Sequence, residues 1–125
     1  MIKIKFIYED LEIWRKSIEF AKNVIDLSEQ ISCVRKHYRL LDQIESAATS
    51  IPLNIAEGKG RYSKREFIQF LYIARGSLFE SLTLLKIFQM KKWINSEQLA
   101  TIEIHADEIS RMLSGLIRSI RDSLK

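Results

Sequence analysis

Residues that interrupt a backbone are scarce in this chain: one proline and four glycines stand among 125 residues. An all-β fold needs many turns, so the scarcity argues against one, and a 46% apolar content argues against disorder. Cysteine is nearly absent. Cys33 stands alone and cannot form a disulfide within the chain, which suits a reducing compartment. No apolar run approaches the roughly 18 to 20 residues of a membrane span. Met1-Ile2-Lys3-Ile4-Lys5 also lacks the apolar stretch and cleavage site of a signal peptide. A cytoplasmic protein without membrane contact is expected.

Constellations that carry catalysis are equally thin. There are two histidines, His37 and His105. Neither has a glutamate three positions earlier, because Val34 and Ile102 occupy those places, so the Glu-x-x-His pair of di-iron bundles is missing. No His-Glu-x-x-His, no cysteine pair and no Gly-x-x-x-x-Gly-Lys loop occurs. Gly58-Lys59-Gly60 echoes a phosphate cradle weakly, but it follows a helical pattern rather than a strand, which suits a helix cap with a turn. Helical nucleases that place an arginine a few residues before a histidine are poorly matched, since Arg35 is only two residues from His37. Arg35 and Lys36 near Cys33 favour a thiolate, yet no histidine base stands at a recognisable spacing, and an ordinary cysteine between helices is the simpler reading. No enzyme, no metal site and no cofactor is expected.

What the chain has in abundance is helical periodicity. A first segment, about 10 to 32, carries Leu11, Trp14, Ile18, Ala21 and Ile25 as its expected core stripe, with Ile13, Phe20, Val24, Leu27 and Ile31 as a second stripe beside it. A second, about 38 to 57, keeps Leu41, Ile44, Ala48, Ile51 and Ile55 in step straight through Pro52. That spacing predicts one proline-kinked helix rather than two helices. Gly58 is expected as the left-handed residue that ends it, and Ser63 with Glu66 forms a capping box for the next, leaving 59 to 62 as a short connection. The third segment, about 64 to 90, repeats Phe67, Leu71, Ala74, Leu78, Leu82 and Leu85, and adds Phe70, Tyr72, Ile73, Phe79, Leu84, Ile87 and Phe88 on other faces. The fourth follows Ser96 as N-cap with Leu99, Ile102, Ala106, Ile109, Leu113, Leu116 and Ile120 in its seam.

Short connections make successive helices antiparallel. The prediction is therefore all-α: an up-down-up-down four-helix bundle, a single domain over 1–125 with a short N-terminal extension at 1–9. Surplus apolar surface on the third helix, with the second stripe of the first, points to a homo-oligomer; the alternative is a core that absorbs these residues. Gly76 and Gly115 lie inside helices, where glycine costs about 1 kcal/mol against alanine, and close helix approach is the expected compensation.

Net charge is a modest +4, but it is unevenly placed. Lys59, Arg61, Lys64 and Arg65 surround the turn between the second and third helices, with Tyr62 among them. Arg35, Lys36, His37 and Arg39 group between the first two helices, and Arg111, Arg118, Arg121 and Lys125 fall near one face of the fourth. Such clusters neutralise phosphates in a salt-sensitive, sequence-tolerant way. The plainer reading is a solvated surface, or arginines paired with Asp107, Glu108 and Asp122.

Three stretches go further: Phe6-Ile7-Tyr8-Glu9-Asp10-Leu11-Glu12-Ile13-Trp14, Ser50-Ile51-Pro52-Leu53-Asn54-Ile55-Ala56-Glu57-Gly58, and Glu66-Phe67-Ile68-Gln69-Phe70-Leu71-Tyr72-Ile73-Ala74-Arg75-Gly76-Ser77. They resemble the four-helix bundle proteins encoded in intervening sequences of bacterial 23S rRNA genes, and the resemblance spans nearly the whole chain. It implies a ring-like homopentamer in a family sometimes labelled ribosomal. A distantly similar branch, the accessory variability determinant proteins of diversity-generating retroelements, implies basic pentameric barrels that bind nucleic acid and a reverse transcriptase; this chain matches the intervening-sequence branch better. Within the motif Asn54, Glu57, Arg75 and Ser77 are polar residues in apolar runs. They are expected to form a structural polar network, with Glu57 pairing with Arg75. Two functions follow as expectations: a non-enzymatic oligomer that binds RNA or DNA through repeated basic patches, or a scaffold for a protein partner.

Overall fold

The computed structural model describes residues 2–31 and 37–124. A 3-10 turn, Ile7–Asp10, leads into α1 (Glu12–Glu29), followed by α2 (Tyr38–Lys59), α3 (Lys64–Met90) and α4 (Ser96–Ser123). Each helix packs on its chain neighbours, α4 closes back onto α1, and α1 lies diagonal to α3. This is the up-down-up-down bundle that short connections between amphipathic helices dictate.

The spacing of apolar residues explains the core. Phe20 and Val24 of α1 meet Ile44, Ile51 and Ile55 of α2, Leu71, Leu78 and Leu85 of α3, and Ile109 and Leu113 of α4, all of them fully buried. The seam read for α4 holds from Leu99 to Leu113; beyond it Ile117 is buried in place of the expected Leu116, which with Ile120 is only partly covered. On α1 the two stripes exchange roles. Ile13, Phe20, Val24, Leu27 and Ile31 are buried with Ala21, while Trp14 and Ile25 are half-buried and Ile18 is 43% exposed. The stripes differ by a small rotation of the helix, and only tertiary packing settles which of them faces inward.

Helix ends follow local chemistry. Asn95 caps α4, one residue before the expected Ser96. Its Oδ1 accepts from Gln98 N and the Gln98 Oε1 accepts from Asn95 N, both at 2.8 Å. Ser63 caps α3 by accepting from Glu66 N at 3.2 Å, and its hydroxyl donates to Glu66 Oε1 rather than leaving that carboxylate to the backbone. α3 ends at Met90 with Lys91 as its C-cap, and Lys92 just beyond, with a φ of 63°, fills the left-handed position where glycine is usual.

α2 runs through Pro52 as one element. Gly58 does not end it. The residue is buried inside the helix, no glycine has a positive φ, and the chain leaves α2 at Gly60. A Cβ at 58 would stand 2.6 Å from Phe70 Cβ, so the need for glycine is close approach of α2 to α3. Gly76 and Gly115 are the reverse case: an added Cβ meets nothing within 4 Å at either, so close packing inside the chain is not their compensation.

Candidate nucleic-acid interface

The antiparallel run of α3 beside α4 assembles the candidate site. Lys64 Nζ, at the start of α3, donates to Ser123 Oγ at the end of α4 at 3.2 Å. About two turns further along α3 the Arg121 guanidinium donates to the Tyr72 hydroxyl, and about three turns along Arg75 donates to Ser114 Oγ at 3.2 Å. The 60–63 connection sits at this same end, so Lys59, Arg61, Lys64, Arg65 and Arg121 converge there, with Arg118 one turn back along α4. Arg111 does not join them. It lies ten residues before Arg121, about 15 Å along the helix, and is bound to Asp107 at 3.1 Å. Lys125, Cys33, Arg35 and Lys36 fall outside the described residues. His37 and Arg39 belong to the opposite end, where the His37 ring stands 4.7 Å from that of Trp93.

Acids that share the convergent end are largely taken. Glu57 pairs with Arg61 at 2.7 Å, and Glu66 is occupied by the Ser63 cap. Asp10 binds Lys5 at 2.6 Å; that hydrogen bond and the lysine charge hold its carboxyl below the usual carboxylate range. Among the described residues, Lys64, Arg65 and Arg118 have no carboxylate partner. Aromatic rings interleave with the cations. Lys59 lies over Phe67, Arg61 over Phe70, and Arg75 and Arg121 both over Tyr72.

The expected polar network divides into parts. Ser77 Oγ donates to Ser50 Oγ at 2.9 Å, and Asn54 Nδ2 donates to the Ser50 Oγ and carbonyl at 2.8 and 2.7 Å, joining α2 to α3. Glu57 and Arg75 do not meet: Glu57 turns to Arg61 one turn on, and Arg75 faces α4. Ser50, Tyr72 and Ser114 carry the contacts that sequence reasoning assigned elsewhere.

A second surface lies on the other side of the bundle. Tyr8, Trp14, Ile18, Ala21, Ile25, Pro52, Leu53 and Ala56 line an open apolar groove of about 540 Å³ between α1 and α2. Lys22 and Asp26 stand on its rim, paired at 2.8 Å; the hydrogen bond and charge of Asp26 raise the Lys22 ammonium above the ordinary lysine range. Its inner wall is the stripe of α1 that turned away from the core. Among the described residues no group of three or more His, Cys, Asp or Glu is placed to hold a metal ion. No described helix is long and apolar enough to cross a membrane.

The family described as 23S rRNA-intervening sequence protein matches residues 9–115. The fold is similar to the crystal structure of a protein of unknown function from the S23 ribosomal protein family of Bacteroides thetaiotaomicron, with a TM-score of 0.78 and 30% identity, over 84% of this chain and 97% of that one. Among curated proteins none matches.

Proposed function

Because the chain belongs to the family of 23S rRNA-intervening sequence proteins, we propose that it is a non-catalytic, self-associating bundle that binds nucleic acid through its basic end in a sequence-tolerant way. The observation that carries this reading is the convergence of Lys59, Arg61, Lys64, Arg65, Arg118 and Arg121 at one end of α3 and α4. Cations without carboxylate partners release counterions when they meet phosphates, and the gain grows with each phosphate neutralised. One subunit offers few such contacts. Repetition around a symmetry axis adds them, because a second engagement by the same assembly is intramolecular.

Two different apolar surfaces on one subunit support the association. The α1–α2 groove faces one way, and α3 presents Ile73, Phe79, Ile87 and Met90 another way. Joining unlike surfaces gives a head-to-tail contact that closes into a ring when the rotation permits, and five copies is the number that family resemblance implies. The nucleic-acid test is charge reversal at Lys59, Arg61, Lys64 and Arg65. Loss of anisotropy response to RNA and DNA at low salt, with a flattened salt dependence in any residual binding, is the expected result. Undiminished binding refutes the assignment.

The groove also favours a second reading, in which the bundle is a scaffold for a protein partner and polyanion affinity is incidental. Partner capture by the charge-reversed variant, with no RNA recovered alongside the wild type, selects that alternative.

A further inference from the structure

Four aromatic rings lie between residues 62 and 72 at the basic end, and three of them are already covered. Phe67, Phe70 and Tyr72 each lie beneath a cation of their own chain. Tyr62 is different: at 102% relative exposure it touches no ring and no cation among the described residues. The residues on either side of it are nevertheless held. Gly60 N donates to the Ala56 and Glu57 carbonyls, both at 3.2 Å, Arg61 N donates to the Gly58 carbonyl at 3.1 Å, and Ser63 is locked as the cap of α3. A free aromatic face is therefore presented by a fixed turn, with Lys59, Arg61, Lys64 and Arg65 as its near neighbours in the chain.

Ring faces and cations suit different parts of a nucleic acid. Phosphates are reached by ammonium and guanidinium groups in duplex and single strand alike, whereas a base offers its face only where it is unstacked. A ring carried between two ordered helix ends gives up only its own rotamer freedom on stacking, because the chain on either side is already in place. We propose that Tyr62 is a stacking platform for an unpaired base, so that the basic end prefers single-stranded or looped nucleic acid to duplex. This rests on the nucleic-acid reading above and adds to it the structural class of ligand.

The experiment measures fluorescence anisotropy of labelled oligouridine, and of the same strand paired with oligoadenosine, against the full chain and two variants, Tyr62→Ala and Tyr62→Phe. The wild type is expected to bind the single strand more tightly. Tyr62→Ala is expected to weaken single-strand binding about ten-fold, within the range found for loss of one stacked base, while duplex binding and the salt slope stay unchanged. Tyr62→Phe keeps the ring and retains the affinity. Equal loss on both ligands, or none on either, overturns the platform and leaves charge-driven binding intact. Broken self-association in Tyr62→Ala with RNA affinity kept would place the ring in a subunit contact and also overturns it. A wild type that binds neither ligand at low salt removes the parent reading and this one together.

Discussion

Gly58 sits where α2 and α3 press closest, with Phe70 Cβ 2.6 Å and Phe67 Cδ1 3.0 Å from the place a Cβ would take. The nearer neighbour is the root of a side chain, which cannot swing aside. Gly58→Ala is therefore expected to destabilise by about 1 to 3 kcal/mol, the cost of forcing an extra carbon into a packed site. Gly115→Ala runs the other way, because its surroundings are open and alanine is the better helix former by about 1 kcal/mol. Thermal unfolding of both variants checks the contrast; a Gly58→Ala protein as stable as the wild type would mean that the helices are not in fact so close. A glycine at the end of an apolar pattern reads as a terminator, and only the position of the facing helix shows it to be a contact. Arg75 is a parallel case. Its charge and register were legible, but whether it turns to Glu57 on α2 or Ser114 on α4 depends on how α3 is rotated between them.

Between elements, the lightest seam joins α1 to α4, and an ion pair spans it: Lys16 Nζ lies 2.9 Å from Glu108 Oε1. The hydrogen bond to Glu108, and then its charge, raise the Lys16 ammonium above the ordinary lysine range. A cation whose folded pKa lies above its unfolded value stabilises the fold fully below the unfolded value, near pH 10.4, and loses that contribution as pH rises through the folded one. Glu108 is exposed and Lys16 half-buried, so solvent reaches the pair and the contribution is small and weakened by salt. Glu108→Gln is expected to melt slightly below the wild type at neutral pH and low salt, with the gap closing above about pH 10.4. A gap that persists there would assign the loss to packing instead of charge. Element existence and direction were legible, down to the Lys64–Met90 limits of α3, because caps and an unbroken spacing mark them. The facing of α1 was not, since Trp14 and Ile18 make as good an apolar stripe as Phe20 and Val24 until α2 and α4 are in place.

At the scale of the whole molecule, Gly76 marks the surface that another copy would cover. Tyr72, Ile73, Gly76, Phe79, Thr83, Ile87 and Met90 fall within about a third of the circumference of α3. Ile73 and Phe79 are half exposed, and nothing approaches the glycine at their centre. A helix that spends an interior glycine on an outward apolar strip gains nothing within its own chain, but a neighbouring subunit can come closer there than any side chain would allow. Two variants separate the monomer from the assembly. Gly76→Ala should raise stability by about 1 kcal/mol if the strip faces water, and lower it if a subunit packs there. Ile73→Glu combined with Phe79→Glu should leave helical content unchanged and reduce the mass seen by light scattering to the 14.7 kDa of one chain. A wild type that already runs at that mass, with Gly76→Ala more stable at every concentration, would remove self-association and with it the multiplication of weak basic ends into a useful affinity.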